Sequence, residues 1–195
     1  MLVSRTKRVG FAAVLGVAAT MILSGTPARA TVVDRGSFEF SETVPDPFCG
    51  LNLVRATTAT GSFRIRLDKA SDGQAFLQRL NLDTRDVFTN TANGKTMTFE
   101  GHSLINEVRA THVSGNVYEF TTVEAGQPFV VRDGAGNVVL RDRGVLRHRV
   151  LFDTQGDGMP GGVTLDDQIV AISGPHPGFD QTEEQFCAMV VSLVG

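Results

Sequence analysis

From residue 37 onward, apolar and polar positions alternate in short runs. Ser37-Phe38-Glu39-Phe40-Ser41-Glu42 puts both phenylalanines on one side. Phe63, Ile65 and Leu67 alternate with Arg64, Arg66 and Asp68, and Met97 and Phe99 with Thr96, Thr98 and Glu100. Tyr118, Phe120 and Thr122 oppose Glu119, Thr121 and Val123; Leu146, His148, Val150 and Phe152 oppose Arg147, Arg149 and Leu151. Side chains on a strand point to opposite faces with period two, so this pattern predicts strands with one buried and one wet face.

Turn formers separate the runs. Asn93-Gly94 suits a tight hairpin, because both residues tolerate positive φ. Ser114-Gly115-Asn116 and Asp133 to Asn137 are further hairpin positions, and Gly156 to Gly162 and Ser173 to Gly178 read as longer loops. Residues 70–84 fit either a short helix or an irregular strand. Near the end, Thr182-Glu183-Glu184-Gln185 has the spacing of a capping box, and Phe186, Met189, Val190 and Leu193 recur on one helical stripe. A helix over 183–193 is predicted, with a final strand through Ala188–Val191 as the competing reading. About nine strands at short intervals predict a mainly β fold, a single antiparallel β-barrel or alternatively a β-sandwich, with a short C-terminal helix.

Residues 1–30 have the layout of a secretory signal peptide. Arg5, Lys7 and Arg8 precede an apolar run from Phe11 to Leu23, and Ala28-Arg29-Ala30 forms a small-x-small cleavage site. The apolar run is shorter than the roughly 18 residues that a membrane span needs, so no integral span is expected once the leader is removed. This leaves residues 31–195 as one domain. Of the 18 Lys and Arg residues, four lie in the leader, so the mature chain carries 14 against 21 Asp and Glu, a net charge of −7. That charge argues against a nucleic-acid partner and for a soluble exported protein.

Cys49 and Cys187 are the only cysteines. In an oxidising compartment two thiols most simply form one disulfide. A catalytic cysteine would need a nearby base and a setting that favours the thiolate, so the disulfide is the expected role of the pair.

The usual catalytic signatures are absent: no phosphate-cradling glycine loop ending in Lys-Ser/Thr, no nucleophile elbow, no two-histidine zinc helix. No cofactor is therefore expected. Asp153, Gln155 and Asp157 fall at the spacing of a calcium loop, with Gly158 at its sharp turn. Gln at the third ligand position and Thr164 in place of the terminal Glu favour a plain β-turn. His148 points inward with Val150 and Phe152. His112 shares a face with Val108 and Ala110, and Tyr118 one with Phe120. If the sheet closes, His112, Tyr118 and His148 meet in a polar pocket fit to bind a ligand or move a proton. Arg141, Arg143, Arg147 and Arg149 form a basic ridge, which either pairs with acids on adjacent strands or receives an acidic partner.

Three short stretches, Pro47-Phe48-Cys49-Gly50, Thr89-Asn90-Thr91-Ala92-Asn93-Gly94-Lys95 and Phe186-Cys187-Ala188, occur in this order over most of the mature chain. The chain thereby resembles a group of uncharacterised secreted β-barrel-like proteins of high-GC Gram-positive bacteria, although Leu51 stands where an aromatic often follows the Cys-Gly pair. The resemblance implies a barrel-like fold and a Cys49–Cys187 bridge, and no reaction.

The functional expectation is a secreted, non-catalytic binding protein for a small ligand or envelope component. The alternative is a small barrel enzyme of isomerase or cyclase type, by fold analogy with allene oxide cyclase-like barrels.

Overall fold

The computed structural model describes residues 32–71 and 73–195; the leader lies outside the described residues. Seven strands run antiparallel in sequence order: β1 (Val32–Pro45), β2 (Leu53–Leu67), β3 (Phe76–Asn90), β4 (Thr96–Ser114), β5 (Val117–Arg132), β6 (Val138–Asp153) and β7 (Val163–Ser173). Two helices follow, α1 (Pro177–Asp180) and α2 (Glu183–Val194).

The strands are fewer and longer than the alternation predicted. The cause is bulges. β4 has an extra residue at Val108, between Glu107 and Arg109, and β5 has one between Gly126 and Val130 that shifts its register with both β4 and β6. Each extra residue resets the alternation without ending the strand, so one strand reads as two. The ambiguous 70–84 segment resolves into a 3-10 turn (Lys69–Ser71) and the first part of β3. The Ser71 hydroxyl fastens that turn, donating to the Asp68 carbonyl at 2.7 Å and accepting from the Ala75 amide at 2.9 Å.

The closed barrel expected from the sequence does not form as a hydrogen-bonded ring. Among the described residues, β1 pairs with β2 alone and β7 with β6 alone, so the sheet has two open edges. Alternation reports that a strand exists, not which strand lies beside it. Both edges also carry features that discourage pairing: Pro45 and Glu39 on β1, and Asp166, Asp167 and two register shifts on β7.

At one pair of opposed positions on β5 and β6, only glycine fits. Gly126 and Gly144 are directly opposed and both have positive φ (137° and 132°). A Cβ on Gly126 would meet the His102 carbonyl oxygen, and one on Gly144 the Ser173 carbonyl oxygen, far inside contact distance. On β1 and β2 the rings of Phe38 and Phe63 lie over their cross-strand partners Gly61 and Gly36, covering backbone that those glycines leave bare.

α2 packs on one face of the sheet, here called the inner face. Val190 and Val194 are fully buried there against Leu53, Phe88, Met97, Phe99, Val131 and Leu140. Burying side chains of this kind contributes roughly 1.5–3 kcal/mol each. The capping box forms as the sequence predicts: Thr182 Oγ1 accepts from the Gln185 amide, and Gln185 Oε1 accepts from the Thr182 amide. At the other end, Asn90 and Asn93 donate side-chain N–H groups to the Val194 carbonyl at 2.8 and 3.0 Å. The Cys49–Cys187 disulfide ties the β1–β2 turn to this helix, with Cα atoms 5.1 Å apart. A second buried cluster, Ala75, Leu77, Ala110, Tyr118 and Phe120, packs with Val150 and Phe152. Among the described residues, no helix is long and apolar enough to cross a membrane.

Candidate functional site

The inner face is divided. On β1 to β4, Phe38, Phe40, Phe63, Leu80, Leu82 and Ile105 are only half-buried. From β4 to β7 a diagonal of ionisable groups crosses the same face: Ser103, Glu124, His148 and Asp167, one from each strand. Register accounts for the diagonal. Ile105 and Leu146 flank Glu124, Thr122 is opposite His148, and Val150 is opposite Asp167.

Ser103 Oγ donates to Glu124 Oε1 at 2.5 Å. His148 Nδ1 lies 3.0 Å from Asp167 Oδ1, and His148 Nε2 lies 3.7 Å from Glu124 Oε2. The hydrogen bond to Asp167, joined by Glu124, outweighs the cost of burial and pushes the His148 imidazole up to about 9. Burial alone would raise the Glu124 carboxyl, but the His148 cation and the Ser103 hydroxyl prevail and hold it below its ordinary value. At neutral pH the imidazole is therefore a cation between two carboxylates, a poor general base but a strong hydrogen-bond donor.

Two polar atoms in this strip are buried with no hydrogen-bond partner, His148 Nε2 and Thr122 Oγ1. Their residues face each other across the β5–β6 ladder. Ion-pair contact at 3.7 Å is too long to satisfy the imidazole N–H. Glu107 completes the strip, directly opposite Thr122 on β4. Burial raises its carboxyl to about 7, against the Gln78 amide that donates to its Oε2 at 2.6 Å and favours the ionised form.

The three-residue pocket expected from the sequence is split. His112 and Tyr118 do come together, with ring centroids 5.1 Å apart. His148 does not join them: it is four residues along β6 from Phe152, the partner of Tyr118, which is about 13 Å of extended strand. His112 makes its contact within its own hairpin, through Nε2 and the Gly115 carbonyl at 2.9 Å. The Tyr118 hydroxyl reaches the Ser71 carbonyl at 3.5 Å.

Asp153 and Asp157 are occupied by local turns, accepting from the Gln155 and Met159 amides. Among the described residues, no group of three or more His, Cys, Asp and Glu side chains gathers as a metal site. Arg149 of the basic ridge pairs locally, donating to Gln168 Oε1 at 2.8 Å and lying 3.8 Å from Glu119.

The sequence reading missed Glu107, Glu124 and Ser103. Glu124 had a signal, since it continues the phase of Tyr118, Phe120 and Thr122. Glu107 had none, because the bulge beside it reverses the phase on which the assignment of His112 with Val108 also rested. No protein-family model, no curated protein and no solved structure shows a significant match to this chain.

Proposed function

We propose that the chain is an exported binding protein that takes a small amphipathic ligand on the inner face of its sheet. The apolar body of the ligand lies over Phe38, Phe63, Leu80 and Leu82, and an oxygen acceptor on it receives His148 Nε2–H and the Thr122 hydroxyl. One observation carries this reading: those two donors are buried, adjacent in register and without a hydrogen bond, His148 Nε2 having only its 3.7 Å ion pair with Glu124, next to apolar side chains that the fold leaves half-covered. A buried donor without an acceptor costs about 1–3 kcal/mol, which a ligand oxygen would recover. In this reading the bulged, glycine-kinked sheet curls as an incomplete barrel and not as a sandwich. The leader pattern and the disulfide support export, and the short motifs quoted above support kinship with the secreted barrel-like group.

The test is to purify the disulfide-intact protein after exposure to envelope lipid and metabolite extract and to identify retained small molecules by native mass spectrometry. Retention that falls on Thr122→Val and His148→Gln supports the reading. A protein that retains nothing, or retains the same species in both variants, sinks it.

A second reading, an isomerase- or cyclase-type enzyme, has one specific observation in its favour. Glu107 and Glu124 lie diagonally on the same face, and their surroundings drive their proton affinities in opposite directions. In that case Glu107 moves the proton. Turnover of a retained ligand that is lost in Glu107→Gln with binding intact would favour it.

A further inference from the structure

On the opposite, outer face of the sheet, three arginines stand in one row across three strands. Arg35 of β1 is directly opposite Arg64 of β2, and Arg64 is directly opposite Arg79 of β3. Arg66 follows on the same face, two residues beyond Arg64. Neighbouring strands are about 4.8 Å apart, so these guanidinium groups share one small area. Like charges directly opposed on a ladder destabilise it, and a guanidinium cannot relieve the strain by losing its proton.

Carboxylates compensate some of the other arginines on the sheet. Among the described residues, Arg55, Arg85, Arg132 and Arg149 each have an acidic group within 4.0 Å. Among the same described residues, Arg35, Arg64, Arg66 and Arg79 have no such partner. Arg64, Arg66 and Arg79 instead border a hollow of about 310 Å3, together with Val32, Leu77 and Asn106. That volume is at the lower end for small-ligand sites, which run about 300–1,000 Å3. Leu77, only 2% exposed, gives the hollow a dry apolar floor, and the Asn106 amide adds an uncharged donor at its side.

We infer that this hollow is a site for a tetrahedral oxyanion, a phosphate or sulfate group, free or carried on a larger molecule. Guanidinium forks match tetrahedral oxyanions, two N–H groups to two oxygens, and a doubly charged ligand answers several of them at once. An organic body attached to the group would rest on Leu77 and Val32. The site is on the other face from the proposed ligand strip and does not depend on it.

The experiment uses the disulfide-intact protein with inorganic phosphate and with sulfate, at low millimolar concentration and with ionic strength held constant by NaCl, following the thermal midpoint and the binding isotherm. A parallel arm sediments the protein with phosphatidylglycerol vesicles and with phosphatidylcholine vesicles. The variants are Arg64→Gln, Arg79→Gln and the pair together. Removing like charge relieves repulsion, so in chloride the variants should melt at or above the wild-type temperature, which separates lost binding from lost folding. The expected result is a midpoint raised by phosphate or sulfate beyond chloride, with affinity about tenfold weaker in each single variant and lost in the double. Response to the free anions identifies a soluble phosphate or sulfate group as the ligand. Response to phosphatidylglycerol vesicles alone, again lost in the double variant, identifies a headgroup. A response equal in wild type and double variant is general anion exclusion and overturns the inference. So does no response in either arm.

Discussion

His148 shows how two carboxylates fix the state of one side chain. With its affinity for protons raised to about 9, the imidazole adds stability that is complete below its ordinary value of 6.5 and is lost as pH rises through 9. Glu107, raised to about 7 by burial, acts in the same direction over a lower window: its contribution is complete below 4.5 and is lost as pH rises to 7. Glu124, held below its ordinary value, acts oppositely and costs stability as acid protonates it. Thermal midpoints measured across pH should therefore fall from slightly acidic to alkaline buffer. His148→Gln should flatten the 6.5 to 9 part of that curve, and Glu107→Gln the 4.5 to 7 part. If both variants keep the wild-type slope, the ionisation assigned to the strip is wrong.

At the scale of elements, α2 was legible almost completely. Its capping box, its stripe and its cysteine are local signals, and a helix reads its own sequence over a few turns. Thr182→Ala should cost about 1 kcal/mol in urea denaturation, as loss of an N-cap does. Val190→Ala, at a position with no exposed surface, should cost about 1–3 kcal/mol by leaving a void against Met97 and Phe99. The strands were legible as strands, but their lengths were not. Phe99 and Ala110 belong to one element whose ladder to β5 shifts register twice between them; nothing in the residue types around Val108 announces the extra residue there, whereas the other extra residue lies on β5, where Pro128 is its only mark. The candidate site suffered for the same reason. It is assembled by pairing between strands: Glu124 and Asp167 are neighbours of His148, and Glu107 faces Thr122, only through ladders that join distant parts of the chain. Gly126 marks such a place: Gly126→Ala should destabilise by more than the usual glycine-to-alanine effect, because a β-carbon there runs into the His102 carbonyl. A variant as stable as wild type in urea would contradict that crowding.

For the whole molecule, the cross-link between Cys49 and Cys187 joins positions 138 residues apart. Loop-closure arguments give a long loop of this kind up to about 5 kcal/mol, and loss of a native disulfide typically costs about 2–5 kcal/mol. Replacing both cysteines by serine should lower the urea midpoint accordingly, with no change under reducing conditions, where wild type should meet it. Identical midpoints for wild type with and without reductant would leave the cross-link without a stabilising role.

That bond also makes a covalent ring of the chain from the β1–β2 turn to the last helix. Every strand from β2 to β7 is inside it. Tension applied at the two ends of the folded part would pass from β1 through the sulfur bridge into α2, so six of the seven strands would carry no load. A protease cut in any loop between β2 and α2 would likewise leave one molecule, which comes apart on a denaturing gel only after reduction.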